Sequence, residues 1–76
     1  MRIVKEITNP DCKITVFSWN GKYLIKLENG AFEQTYKVKE LDVLEEELDE
    51  ILNDSFIQEA IDRFDDMAKS LMKAMP

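Results

Sequence analysis

Three carboxylates at helical spacing, Asp62, Asp65 and Asp66, are the residues here whose arrangement most resembles chemistry. At i, i+3 and i+4 they share one side of a helix, and clustered carboxylate oxygens can hold a divalent cation. Yet Asp65 and Asp66 also reach Lys69 at i+4 and i+3, and Glu59 reaches Arg63. Pairs of this kind form a solvated charged face, which is the expected role of these acids. The run Glu45, Glu46, Glu47, Asp49 and Glu50 is denser but falls on a short helical stretch. Asp42 to Asp54 lacks the alternating ligands and central glycine of a calcium loop. Cys12 is the one thiol, and the chain has no histidine to activate it. It falls at a strand end on the expected core side, with Lys13 projecting the other way, and reads as a small buried hydrophobe. One cysteine and no histidine leave neither a conventional zinc site nor imidazole acid–base catalysis. Gly21 and Gly30 each lead into a strand, so neither opens a phosphate-binding loop. No catalytic residue, cofactor site or metal ligand emerges, and the expectation is a non-enzymatic chain with no cofactor.

The frame that positions these groups is small. Seventy-six residues make one domain. A chain of that size buries only about 60% of its unfolded surface, so its stability is marginal. A lone cysteine provides no internal disulfide and fits a reducing compartment. Met1 to Glu6 holds no long apolar run of the signal-peptide kind, and no stretch approaches the ~20 apolar residues of a membrane span. The expectation is a soluble cytoplasmic protein. The net charge of −6 is unevenly distributed. Residues 1–39 carry seven cations and four anions, a net +3, and residues 40–76 carry three cations and twelve anions, a net −9. That contrast pairs a mildly basic sheet with an acidic helical surface.

Two Asn-Gly steps, Asn20-Gly21 and Asn29-Gly30, punctuate alternating apolar runs. Asn-Gly suits the central positions of a type I′ turn, where both residues need positive φ. The first step sets Trp19 opposite Lys22, Phe17 opposite Leu24, Val16 opposite Ile25 and Lys13 opposite Glu28. The second sets Leu27 opposite Phe32, Lys26 opposite Glu33 and Tyr23 opposite Tyr36. Lys13–Glu28 and Lys26–Glu33 both match charge. An earlier strand joins through Thr8-Asn9-Pro10-Asp11, placing Ile7 opposite Cys12 and Ile3 opposite Val16. After Leu41 the period shifts toward 3.6. Asp42 with Glu45, and Ser55 with Gln58, read as capping boxes. The expected fold is α+β: a four-stranded antiparallel meander (strands about 2–7, 12–19, 22–28 and 31–38) followed by two C-terminal helices (about 43–52 and 55–74) on one face. The second helix carries Ile57, Ala60, Ile61, Phe64, Ala68, Leu71 and Met75 in one stripe, long enough to cover the sheet lengthwise.

The register sorts the strands into two faces. Ile3, Ile7, Ile14, Val16, Tyr23, Ile25, Leu27, Phe32, Tyr36 and Val38 form the face under the helices. Gln34 also falls there, as an edge side chain bonded to backbone or water. The outer face holds Val4, Thr15, Phe17, Trp19, Leu24 and Thr35 among Arg2, Lys13, Lys22, Lys26, Glu33 and Lys37. An aromatic cluster on a nominally wet sheet face signals interaction. The candidate surface is Val4, Phe17, Trp19 and Leu24 with Lys22, Lys26 and Lys37. Its cover is the chain's own Met72–Pro76 tail, a second copy in a homodimer, or an unidentified partner. The leading expectation is a protein-interaction module that self-associates through this face, with no membrane role. The alternative is a small ligand-binding or nucleic-acid-binding domain using the same aromatics and lysines. The charge of −6 and the lack of a glycine–aromatic RNA-recognition signature weigh against nucleic acid.

The stretch Ile14-Thr15-Val16-Phe17-Ser18-Trp19-Asn20-Gly21-Lys22-Tyr23-Leu24-Ile25-Lys26-Leu27-Glu28 resembles that of short, uncharacterised bacterial proteins that combine a small meander with C-terminal helices. The resemblance implies that architecture, and no activity or site residue follows from it.

Overall fold

The computed structural model describes all 76 residues, Met1–Pro76. Four strands form one antiparallel sheet in sequential order: β1 (Arg2–Asn9), β2 (Cys12–Trp19), β3 (Lys22–Asn29) and β4 (Phe32–Lys39). A single 3₁₀ turn, Glu45–Glu47, leads into α1 (Leu48–Ile51), and α2 (Asp54–Ala74) follows. The α+β meander read from the sequence is the architecture observed.

The β2–β3 hairpin has the expected register, from Trp19 opposite Lys22 to Lys13 opposite Glu28. Asn20 and Gly21 both have positive φ, at 53° and 73°, as a type I′ turn requires. The β3–β4 hairpin differs. Asn29 pairs with Phe32, so the turn residues are Gly30 and Ala31. Gly30 has φ +56° and Ala31 is not left-handed, the pattern of a type II′ turn. Glycine serves the second central position of I′ and the first of II′ equally, so the dipeptide alone does not choose. Tyr36 therefore faces Ile25 rather than Tyr23, Leu27 faces Gln34, and Glu28 faces Glu33. Lys26 relieves that like-charge pair, with Nζ 3.9 Å from Glu28 and 3.6 Å from Glu33. The Asn29 amide instead donates to the Asp11 carbonyl at 2.8 Å, tying the two turns at this end.

The β1–β2 connection is also tighter than expected. Asn9 pairs with Cys12 across Pro10-Asp11, and the Asn9 side chain accepts the Asp11 N–H at 2.9 Å. Such an Asx turn needs only two residues where four were expected. A bulge between Ile3 and Lys5 then shifts the pairing by one. Ile3 lands opposite Phe17 on the outer face, and Val4 turns in to pack against the core.

The inner face carries Ile14, Val16, Ile25 and Leu27, all at most 1% exposed, beneath Leu48, Leu52, Ile57, Ala60 and Phe64. The helix starts differ from the expected capping boxes. Leu44, not Asp42, precedes the 3₁₀ turn, and its N–H donates to the Glu47 carboxylate at 2.8 Å. Asn53, not Ser55, caps α2: its side chain accepts the Phe56 N–H at 2.9 Å and donates to the Glu50 carbonyl at 2.8 Å. One side chain thus satisfies the end of α1 and the start of α2. Gln58 bonds Asp62 at 3.0 Å instead of a cap.

Gln34 anchors α2 to the sheet through an Nε2 bond to the Ala60 carbonyl at 2.8 Å. Arg63 joins them, donating to Gln34 Oε1 at 3.0 Å and to the Tyr36 hydroxyl at 2.9 Å. It is drawn to these acceptors and makes no ion pair with Glu59. Phe56 packs against Tyr36 with ring centroids 5.5 Å apart and the ring planes tilted by 53°. These contacts run α2 antiparallel to β4, so only its N-terminal half lies on the sheet. From Ala60 the helix continues about 21 Å at ~1.5 Å per residue, while in that direction β4 has only two residues beyond Gln34, to its first residue Phe32. Leu71, Met72 and Met75 lie beyond the sheet and are 48%, 75% and 59% exposed. The lengthwise cover expected of α2 is therefore only partial.

Candidate interaction surface

The antiparallel pairing fixes the outer face as rows of side chains across the sheet. The central row reads Ile3, Phe17, Leu24, Lys37 from β1 to β4. Toward the Asn20-Gly21 turn lies Trp19, Lys22, Lys39, and on the other side Glu6, Thr15, Lys26, Thr35. Alternation puts these residues opposite the core, and no helix lies on their side.

Phe17 and Leu24 are half-buried against one another, and Trp19 and Ile3 remain 53% and 56% exposed. Thr15, at the centre of the face, is buried by its neighbours. Lys22 and Lys26 are half-buried and Lys37 is exposed. Long amine side chains lay their alkyl stems on apolar surface while the charge stays in water. The structure therefore brings Phe17, Trp19, Leu24, Lys22, Lys26 and Lys37 together as the sequence placed them. Val4 is the exception: the bulge removes it to the core side and Ile3 takes its place. No residue in Arg2–Ile7 marks a bulge by type, so the pattern held no signal for the exchange. The Met72–Pro76 tail does not cover the face. It follows α2 off the turn end near Gly30-Ala31, and Trp19 stands at the opposite end of β2.

Other candidate sites are open and polar. A cleft of about 430 Å³ lies between the two turns at one sheet end, lined by Asn9, Asp11, Lys13, Glu28 and Asn29 among others. A second, of about 230 Å³, lies between β1 and the acidic segment, where Lys5 pairs with Asp49. No three acidic or thiol side chains lie close enough to hold a metal ion. Cys12 is buried, and burial pushes its thiol up from the ordinary value, with the Asp11 carboxylate adding to the effect. Tyr23 is likewise raised, first by burial and then by Glu40. Both groups are held protonated, the opposite of what a nucleophile needs. No helix is long and apolar enough to cross a membrane.

No protein-family model matches the chain, and no curated protein or solved structure matches it either.

Proposed function

We propose that this chain is a non-enzymatic interaction module that self-associates through the outer face of its sheet. The observation that carries the reading is the uncovered row Ile3–Phe17–Leu24 with Trp19 beside it, on the face opposite both helices. A twofold dimer sets this patch against itself, as symmetry requires. Trp19 and Ile3 each have about half of their surface left to bury. Full burial of such a side chain contributes ~1.5–3 kcal/mol, so four of them in a dimer supply about 3–6 kcal/mol. That only meets the lower end of the ~4–15 kcal/mol cost of association, so the surface that half-buried Phe17 and Leu24 and the lysine stems still expose must supply the net gain. The expected complex is weak and depends on concentration.

Sedimentation of the wild-type chain against Phe17→Lys/Trp19→Lys tests this. The variant should lose mass at concentrations where the wild type is associated, and circular dichroism should stay unchanged. Equal masses for the two proteins would overturn the proposal. Quenching of Trp19 fluorescence by single-stranded oligonucleotides would favour nucleic acid as the ligand of this face instead.

A further inference from the structure

We infer that β4 is a second self-association surface, along which two copies pair antiparallel into a continuous eight-stranded sheet. This goes beyond the face-to-face reading, uses different residues and stands without it.

The two sheet edges are built differently. At β1 a bulge interrupts the strand between Ile3 and Lys5, and the ion pairs Arg2–Glu45 and Lys5–Asp49 draw the acidic segment alongside. Bulges and neighbouring cover are common ways to close a sheet edge. β4 is eight residues long, with no bulge and no proline. Its free backbone groups can be assigned. Glu40 donates its N–H to the Gly21 carbonyl at 3.0 Å, and Phe32 closes the two-residue turn opposite Asn29. Even-numbered residues of β4 therefore turn their backbone groups to β3. By alternation, Glu33, Thr35 and Lys37 turn theirs to the open edge.

A twofold axis beside Thr35 satisfies all three. Thr35 then pairs with the partner's Thr35, Glu33 with the partner's Lys37, and Lys37 with the partner's Glu33. Each is a hydrogen-bonded pair of outward-facing backbone groups, and the two flanking pairs join opposite charges. On the inner side the same register sets Phe32 opposite the partner's Val38 and Gln34 opposite the partner's Tyr36. Phe32 and Val38 are only half-buried within one chain, so the neighbour extends an incomplete core. Moving the axis one residue, to Tyr36, sets Gln34 opposite the partner's Val38 and Phe32 opposite the partner's Glu40. That register also meets Glu33 with a lysine, the partner's Lys39, so charge does not separate the two. It mismatches polar and apolar groups on the inner side, and the inner-face pairing of Phe32 with the partner's Val38 selects the first.

The test uses the full chain carrying Phe17→Lys/Trp19→Lys, which removes the face contact, with Glu33→Lys and Lys37→Glu added separately. The parent should sediment as a dimer and each added substitution should shift it to monomer. An equimolar mixture of the two charge variants should regain the dimer, because every lysine at the edge again meets a glutamate. Amide exchange at Glu33, Thr35 and Lys37 in the parent should slow by about tenfold or more as concentration rises. If the mixture is no heavier than its components, or the three amides exchange at one rate at all concentrations, β4 is not the interface. Neither result bears on the Trp19 face, which the wild-type comparison reads separately.

Discussion

The two Asn-Gly steps are identical in sequence and different in structure. At Asn20-Gly21 both residues occupy the turn with positive φ. At Asn29-Gly30 the turn slides one residue on, Asn29 ends its strand, and only the glycine keeps positive φ. A dipeptide therefore says where a chain reverses more firmly than which pair of residues does the reversing. The glycine is the common requirement. The asparagine is a turn residue in one hairpin and a side-chain tether between turns in the other.

Substitution separates these roles. Gly21→Val and Gly30→Val should show the largest effects, each losing about 1–2 kcal/mol because a β-branched residue resists positive φ. Nothing lies within 4 Å of the position a Cβ would take at either glycine, so backbone strain alone accounts for the loss. Chemical denaturation reads it, and against a marginal total stability the shift is large. Wild-type midpoints would show that neither turn needs its glycine. Asn20→Ala should follow at roughly 1 kcal/mol, since alanine tolerates the left-handed region less well than asparagine. Asn29→Ala removes one exposed hydrogen bond to Asp11 and should cost about 0.5 kcal/mol. Equal losses at the two asparagines would erase the distinction between the hairpins.

The smallest expected signal is in pH, and it too compares the two ends of the sheet. Cys12 lies by the Pro10-Asp11 turn and Tyr23 by the Asn20-Gly21 turn, and both are raised in the folded state. A raised folded value means the stabilisation is full below the unfolded value and fades as pH rises through the folded one. Denaturation midpoints should thus fall on the alkaline side, above about pH 9. Cys12→Ala should remove the earlier part of that fall and Tyr23→Phe the later part. A midpoint flat through the alkaline range in the wild type would show that neither group is shifted.

How well the sequence is read depends on the parity of each slip. The β3–β4 register is displaced by two residues from the expected pairing, and so is Ile7, which meets Ile14 rather than Cys12. An even displacement leaves every side chain on its face, so Tyr36, Gln34 and Ile7 remain with the core. The bulge at Val4 is an odd displacement, and it exchanged Ile3 and Val4. Phe17, Trp19 and Leu24 were legible because Asn20-Gly21 fixes the one hairpin that carries all three. The short helix was less legible, because Asp42 and Glu45 satisfy a capping pattern that Leu44 and Glu47 fill in the folded chain. The Arg63 bridge to Gln34 and Tyr36 joins residues 27 and 29 positions apart, beyond any local pattern.

The sequential strand order β1-β2-β3-β4 also governs how the molecule is made. Every strand pairs with the one synthesised just before it, across connections of two residues, so the sheet closes without a long search. Its helices come last. The meander through Lys39 has no second layer of its own: its inner face, Ile14, Val16, Ile25 and Leu27, is covered only by residues that follow it in the chain, Leu48 through Phe64. Losing that C-terminal segment would open the whole apolar face of the sheet to water at once.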